Sequence, residues 1–560
     1  MKRKIVSLVA FLSVSVAMLA NNGKGIEFYK VGMYDAAKDE FLQQSGQSID
    51  EQAIAAYYLG LIYANEQNME AAAAQFQKAI DLNPKSPYGY IGKGRLELKN
   101  NVKAGEVLLK QAESLDKKNA AVLVAIAEAY FANSMMAKVQ PLLEKAKAAD
   151  KNNVDIYLLE GDVILSKGSD GETIGKAINK IRDADYFSNS TDKVVLIKLG
   201  QLYGRLDNGM NFALDNVNKA LAIDKNFPPA NTALGNLKYA QKKYKEAIES
   251  YEKALATGVK VPDEYYGNYA YALFFDKQYE KSLQEIERNL LLKPNNVTLL
   301  RLQAYNMYEL KQYEEGLAKM KKFFVTVPQD KQVSLDFITL GRFYLVLKNY
   351  DSAIESFNKA IARDAQATDT YKELSRTYSE MKNYDEAIKY FEKYTELTKN
   401  VLPSEWNALG QLYTDAAVAM YWDNKDNVKA LQANQQLFNT YIEKGAKVYS
   451  DLITLAPDLH VGYTGRAYIY SLMDTYENAV TGKHKGVAKP YYEEALTFML
   501  ANNTEGRFND DIVKAYLYFA GYYIKNDDTK NAVEYYKKVI AIDPTNERAT
   551  STLKQLKVKY

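Results

Sequence analysis

One spacing recurs along this chain and limits what it can fold into. Gly60, Tyr63, Ala72, Phe76 and Ala79 are followed by Pro84 in the segment that starts at Ala56. Between Leu335 and Ala365, Gly341, Tyr344, Ala353, Phe357 and Ala360 stand at the same offsets of +3, +12, +16 and +19. A third copy supplies Ser375, Tyr378, Ala387 and Phe391. A fixed period of about 34 residues is the mark of a repeat architecture.

The offsets have a helical meaning, because residues three or four apart share one helix face. Gly60 and Tyr63 lie on one face of a first helix, and Ala72, Phe76 and Ala79 on one face of a second. A small residue lets two helix backbones approach, and an aromatic ring fills the volume beside the contact. Asn68, Lys243-Tyr244 and Asn349-Tyr350 fall in the turn between the two helices. Asn83-Pro84, Lys293-Pro294, Val327-Pro328, Ala456-Pro457 and Asp543-Pro544 end units, since proline cannot continue a helix.

These residues resemble the tetratricopeptide repeat. The resemblance implies an all-α fold of tandem helix–turn–helix units stacked into a right-handed superhelical solenoid. Following the leading small residue places 14 units, at Gly25, Gly60, Lys93, Ala127, Gly161, Gly200, Gly235, Ala270, Ala304, Gly341, Ser375, Gly410, Gly465 and Ala520. The units at Lys93 and Gly161 depart most from the pattern. No unit buries its own apolar face, so neighbours share one core.

The spacing then breaks. It is 33–39 residues up to Gly410 and 55 for each of the next two steps. This divides the chain into a regular array over 21–402, a C-terminal module over 403–546, and a polar capping helix over 547–560. Extra residues fall at 416–444, where a first helix continues through Ala416–Trp422, and at 477–490, which holds Gly482, His484 and Gly486. Such insertions either form binding edges or merely lengthen loops.

Lys2, Arg3 and Lys4 precede an apolar run from Ile5 to Leu19. A basic start followed by a short apolar run has the form of a secretory signal, and the run is short for a membrane span of about 20 residues. Cleavage is expected after Ala17 or Ala20, giving an exported chain of the periplasm or cell envelope of a Gram-negative bacterium. No later stretch reads as a transmembrane segment.

Composition narrows the chemistry. The 560 residues include no cysteine and two histidines, so disulfides, thiolate metal sites and cysteine nucleophiles are excluded. Lys and Arg number 72 against 70 Asp and Glu, which gives no basic excess for nucleic acid. Gly168–Lys176 fails as a phosphate loop, with Asp170 and Ala177 where Gly and Ser/Thr are needed. The same stretch fails as a calcium loop, and so does Asp423–Asn427, with Lys425 at a ligand position. His460 and His484 lack any companion at metal-ligand spacing and read as surface residues. The tyrosines at Tyr63, Tyr130, Tyr203, Tyr344, Tyr378, Tyr413, Tyr523 and Tyr536 read as packing residues. No catalytic, cofactor-binding or metal-binding residue is assigned.

In the family that the repeat resembles, the first helices line a concave surface. Its outward stripe falls six and three residues before the small residue and one and four after it. This gives Glu264, Gly267, Tyr271 and Phe274 with Phe275 adjoining; Thr298, Arg301, Tyr305 and Tyr308; Leu335, Ile338, Arg342 and Leu345; and Asp369, Lys372, Arg376 and Ser379. Tyr271, Phe274, Phe275, Arg301, Tyr305, Tyr308, Arg342 and Arg376 are the partner-binding candidates, because aromatics and arginine are enriched at binding hot spots. The alternative is that winding buries them between repeats. A carboxylate clamp known in the family would fall near Lys372, Arg376, Asn407 and Gln411 and does not match. The expectation is a non-enzymatic scaffold of the bacterial cell envelope, holding an extended segment or helix of a protein partner. The alternatives are a glycan-binding nutrient-uptake protein and an accessory subunit of an envelope enzyme.

Overall fold

The computed structural model describes residues 23–43, 47–482 and 484–558. The stretch read as a secretory signal lies outside the described residues. Among those described, all regular structure is helical. The described residues form two compact units, divided between Leu310 and Lys311.

The first unit is built of antiparallel pairs. They are α1 (Gly23–Lys30) with α2 (Tyr34–Leu42), α3 (Ile49–Asn65) with α4 (Met69–Leu82), α5 (Pro87–Asn100) with α6 (Val102–Leu115), and α7 (Ala120–Ala132) with α8 (Met136–Ala149). Next come α9 (Val154–Leu165) with α10 (Gly171–Phe187), α11 (Lys193–Tyr203) with α12 (Met210–Ile223), α13 (Pro228–Ala240) with α14 (Tyr244–Leu255), and α15 (Asp263–Phe275) with α16 (Tyr279–Leu292). Helix α17 (Val297–Glu309) ends it. The second unit starts with α18 (Tyr313–Thr326) and a short 3-10 turn (Gln329–Lys331). Its pairs are α19 (Ser334–Val346) with α20 (Tyr350–Arg363), α21 (Thr368–Glu380) with α22 (Tyr384–Leu397), α23 (Pro403–Asn424) with α24 (Val428–Leu455), α25 (His460–Thr481) with α26 (Lys489–Asn502), and α27 (Asn509–Lys525) with α28 (Thr529–Ile542). Helix α29 (Glu547–Gln555) lies in the segment read as a cap.

The residues that mark the repeat also make the hairpin. A Cβ on Gly60 would stand 2.4 Å from the Phe76 ring, one on Gly341 2.5 Å from Phe357, and one on Gly235 2.6 Å from Tyr251. The +16 aromatic of the second helix therefore lies on the bare backbone of the first. The turn repeats as well. Gln67, Lys348, Lys382 and Asp527 adopt positive φ, and the next residue caps the second helix with its side chain: Asn68, Asn349, Asn383 and Asp528. Each of these donates its own N–H to the carbonyl of the +3 tyrosine (Tyr63, Tyr344, Tyr378 or Tyr523) at 2.8–2.9 Å. Of the tyrosines read as core, Tyr130, Tyr413 and Tyr536 are buried, while the other five are half-buried with the ring resting on the core.

The extra residues at 416–444 are helix on either side of a turn at 425–427. They lengthen α23 to 22 residues and α24 to 28. Of those at 477–490, 477–481 are the last turn of α25, 482 and 484–488 lie in the loop that follows, and 489–490 begin α26. The Gly-rich run at 168–176 is a turn followed by the start of α10, capped by Asp170, whose carboxylate accepts the Thr173 N–H at 2.9 Å.

The first unit closes on itself. Phe28 of α1, wholly buried, stacks on Phe227 at 6.2 Å between ring centroids. Lys30 reaches Asp155 at 2.5 Å, Lys193 reaches Glu27 at 3.1 Å, and Lys260 reaches Asp39 at 2.9 Å. The first hairpin thus shares one apolar core with α11–α15 as well as with its sequence neighbour. Glu128 of α7 lies inside this closure. Burial and then the nearby charge of Asp155 push its carboxyl from 4.5 up to about 7, against the opposing pull of Lys30 and Arg95.

Candidate functional site

A large cavity lies in the second unit and has a volume of about 910 Å³. It opens along the first helices α23, α25 and α27, with α29 and the 482–488 loop at one end. The face of α25 is the most regular part. His460, Thr464, Tyr468, Ser471, Thr475 and Asn478 all line the cavity, and their steps of three and four residues keep them on one side of the helix. Asn407 and Gln411 of α23 and Lys514, Leu517, Gly521 and Ile524 of α27 line it too.

This lining is hydroxyl, amide and aromatic, with charge at intervals. Asp511 accepts Lys514 at 2.8 Å and faces His460 Nε2 at 3.5 Å. Lys525 and Arg548 also line the cavity, and neither has an ion pair among the described residues. The Thr464, Ser471 and Thr475 hydroxyls donate to their own helix and keep acceptor lone pairs, and the carboxamides both donate and accept, so the wall suits peptide groups. Among the described residues, no group of His, Asp and Glu side chains stands close enough to hold a metal ion.

The 482–488 loop is shaped by one buried carboxylate. Asp474, wholly buried, accepts the N–H of Val487 at 2.8 Å, the N–H of Ala488 at 3.0 Å and the Tyr518 hydroxyl at 2.7 Å. Gly482 and Gly486 both hold φ near +73°, a conformation that glycine adopts without strain. The loop folds inward and carries His484 with it. The expectation of a surface histidine is corrected here: the imidazole packs against Tyr518 and Tyr522, and its Nδ1 is buried without a hydrogen-bond partner. Burial lowers its pKa below 6.5, Asp474 opposes that shift and Lys525 adds to it.

A second cavity of about 480 Å³ lies along α19, α21 and α23. Arg342 and Arg376 both line it, together with Asp369, Lys372 and Ser379 of the same stripe. They are not equivalent. Arg342 Nε donates to Glu373 at 2.6 Å and Lys372 pairs with Glu405 at 2.7 Å, whereas Arg376 is exposed. Gln411 of α23 lines both cavities.

The other six sequence candidates lie in the first unit. Phe275 is exposed, Tyr271, Phe274, Arg301 and Tyr308 are half-buried, and Tyr305 is buried. Phe275 stacks on Tyr244 at 5.0 Å, and Phe274 sits 5.4 Å from Tyr279 and 6.4 Å from Tyr305. These rings pack on one another and leave the edge of Phe275 as their main exposed surface. The sequence reading passed over the α25 face, His484, Lys525 and Arg548. The available signal was an uncharged Thr/Ser/Asn stripe at helical spacing over five turns.

Known proteins give the following likenesses. Tetratricopeptide-repeat family models match residues 22–87, 228–256 with 513–546, and 337–400. One solved structure is the C-terminal part of a TPR repeat-containing protein from Cytophaga hutchinsonii, 25% identical, covering 51% of this chain and 99% of that one with a TM-score of 0.42. YrrB, a TPR protein with an unusual peptide-binding site, is 22% identical over 36% of this chain and 97% of its own, with a TM-score of 0.30. A tetratricopeptide repeat protein from Parabacteroides merdae is 15% identical over 46% of this chain and 98% of its own, with a TM-score of 0.33. No curated protein matches the chain. The recurring glycine–aromatic hairpin and these family matches together show that the chain carries tetratricopeptide repeats.

Proposed function

We propose that this protein is a non-enzymatic scaffold that holds a segment of a partner protein in the large cavity of its second unit. The observation that carries the reading is the open cavity of about 910 Å³, with one face of α25 presenting hydroxyl and amide groups along its length. Such a wall offers main-chain hydrogen bonding to an extended segment, and the aromatic neighbours supply apolar contact. The peptide-binding site named for YrrB is in keeping with this.

We further place the protein in the cell envelope of a Gram-negative bacterium, in secretion, surface assembly or a cell-wall complex. The support is the basic and apolar pattern of residues 2–19. No helix among the described residues is long and apolar enough to cross a membrane.

A photo-crosslinking residue at Thr475, inside the cavity, is compared with one at Lys447, exposed on α24. In host cells, Thr475 is expected to trap a defined partner that Lys447 does not, and Thr464→Trp is expected to abolish the trap. Equal trapping from both positions, or catalytic turnover by the purified protein that a point mutation removes, refutes the scaffold reading. Fractionation and N-terminal sequencing of the mature chain test the location; a cytoplasmic chain with its first 17 residues intact refutes it.

A further inference from the structure

The large cavity has a charged end. Gly521 and Lys525 stand four residues apart on α27 and so share one face, and both line the cavity. Arg548 comes from α29 and lies against Gly521: a Cβ there would stand 3.3 Å from Nη2. The missing side chain gives the guanidinium its place at the wall. Asp511 is already engaged by Lys514 and His460. Lys525 and Arg548 are exposed and have no carboxylate partner among the described residues. Two cations on neighbouring surface without a counter-ion repel each other in the free protein, and a bound anion relieves that repulsion. The His484 imidazole lies near Lys525, with its Nδ1 turned to Asp474 at 3.8 Å, so it supplies no counter-charge to the two cations.

We propose that Lys525 and Arg548 receive the carboxylates of an acidic, extended polypeptide segment whose main chain continues along the hydroxyl and amide face of α25 towards Asn407. This rests on the scaffold reading and names the chemistry of the partner. A polypeptide fits better than a small anion for two reasons. The cavity is far larger than an inorganic anion, and away from Lys525 and Arg548 its wall turns to Thr464, Ser471, Thr475 and Asn478. The Thr464, Ser471 and Thr475 hydroxyls donate to carbonyls of their own helix and keep lone pairs to accept peptide N–H groups, while the Asn478 carboxamide offers a donor and an acceptor; such a series suits a chain rather than a compact anion. Arginine adds a planar fork that meets a carboxylate with two hydrogen bonds.

The test uses the full chain and fluorescein-labelled octa-glutamate, read by anisotropy, with octa-lysine and inorganic phosphate as controls. Octa-glutamate is expected to bind saturably and to weaken as salt rises. The double variant Lys525→Ala/Arg548→Ala is expected to weaken it by about tenfold or more, since each charge-assisted bond removed costs affinity. Both side chains are exposed, so far-UV circular dichroism is expected to stay unchanged. Gly521→Val, which leaves both charges but crowds the guanidinium, is expected to give a smaller loss. Failure of octa-glutamate to saturate, equal binding of octa-lysine, an unchanged double variant, or competition by phosphate at equal concentration overturns the proposal. If the Thr475 crosslink persists while octa-glutamate fails, this inference falls and the scaffold reading stands. If the crosslink is also absent, both fall.

Discussion

Replacing Glu128 with glutamine is expected to make the first unit more stable at alkaline pH, a gain that grows as pH rises. Inside the closed unit the carboxyl holds its proton up to about 7, against an ordinary value of 4.5. The folded state therefore binds this proton more tightly than the unfolded chain. Its stabilising effect is complete below the ordinary value and is lost as pH rises towards about 7. At about 1.4 kcal/mol per pH unit, the interval corresponds to about 3 kcal/mol at pH 8. Glu128 keeps some contact with water, which reduces the expected figure to about 1–2 kcal/mol. Glutamine has the shape of the neutral acid and does not ionise. Urea unfolding at pH 5 and pH 8 measures the effect, with hydrogen exchange along α7 as the local readout. Tryptophan fluorescence does not serve, because Trp406 and Trp422 both lie in the second unit. The two proteins are expected to differ little at pH 5 and by about 1–2 kcal/mol in favour of the variant at pH 8. A variant less stable at pH 8, or a gap independent of pH, refutes the reasoning.

Four further outcomes are expected. Gly341→Val drives a side chain into the Phe357 ring and should cost about 1–3 kcal/mol in denaturant unfolding; the added Phe357→Ala should recover part of the strain term, visible as non-additivity in a double-mutant cycle. Asp474→Ala leaves the Val487 and Ala488 N–H groups without their acceptor and should cost about 2–4 kcal/mol, with faster amide exchange at both residues. Phe28→Ala opens the contact with Phe227 and should cost about 3–5 kcal/mol, again read by urea unfolding. The His484 imidazole should titrate below 6.5 by proton NMR, where only two histidines contribute signals; protonating it then costs folded-state stability as pH falls, because the folded form prefers the neutral ring.

The hairpins were legible because their determinants are local. Gly341, Tyr344, Phe357 and the Asn349 cap all sit within one unit, and each acts at a fixed offset, so the offsets survive in the sequence. The stripe rule also placed Asp369, Lys372, Arg376 and Ser379 together, and all four line one cavity. What escaped was set by packing between distant segments. Phe28 against Phe227 and Lys30 against Asp155 leave no periodic trace. His484 reads as an isolated histidine until Asp474, ten residues earlier, is seen to anchor its loop through Val487 and Ala488. Arg548 reads as part of a polar cap until the bare backbone of Gly521 is found beside it. The α25 face was missed for a different reason: the rule was tied to the leading small residue, and in this longer helix the lining positions step past Gly465 in a shifted register.

Arrays of this kind ordinarily gain and lose members freely, since each one touches only its neighbours. The closure of the first unit removes that freedom. Lys30 and Asp155 are 125 residues apart in sequence and Asp39 and Lys260 are 221 apart, yet both pairs are in contact. Excising or duplicating one hairpin between them would carry Phe227 away from Phe28 by a full repeat, leaving a ring with its ends out of register. Between α1 and α15 the number of hairpins is therefore as constrained as any side chain. Gene-level growth of this protein is free only where no such contact spans the insertion.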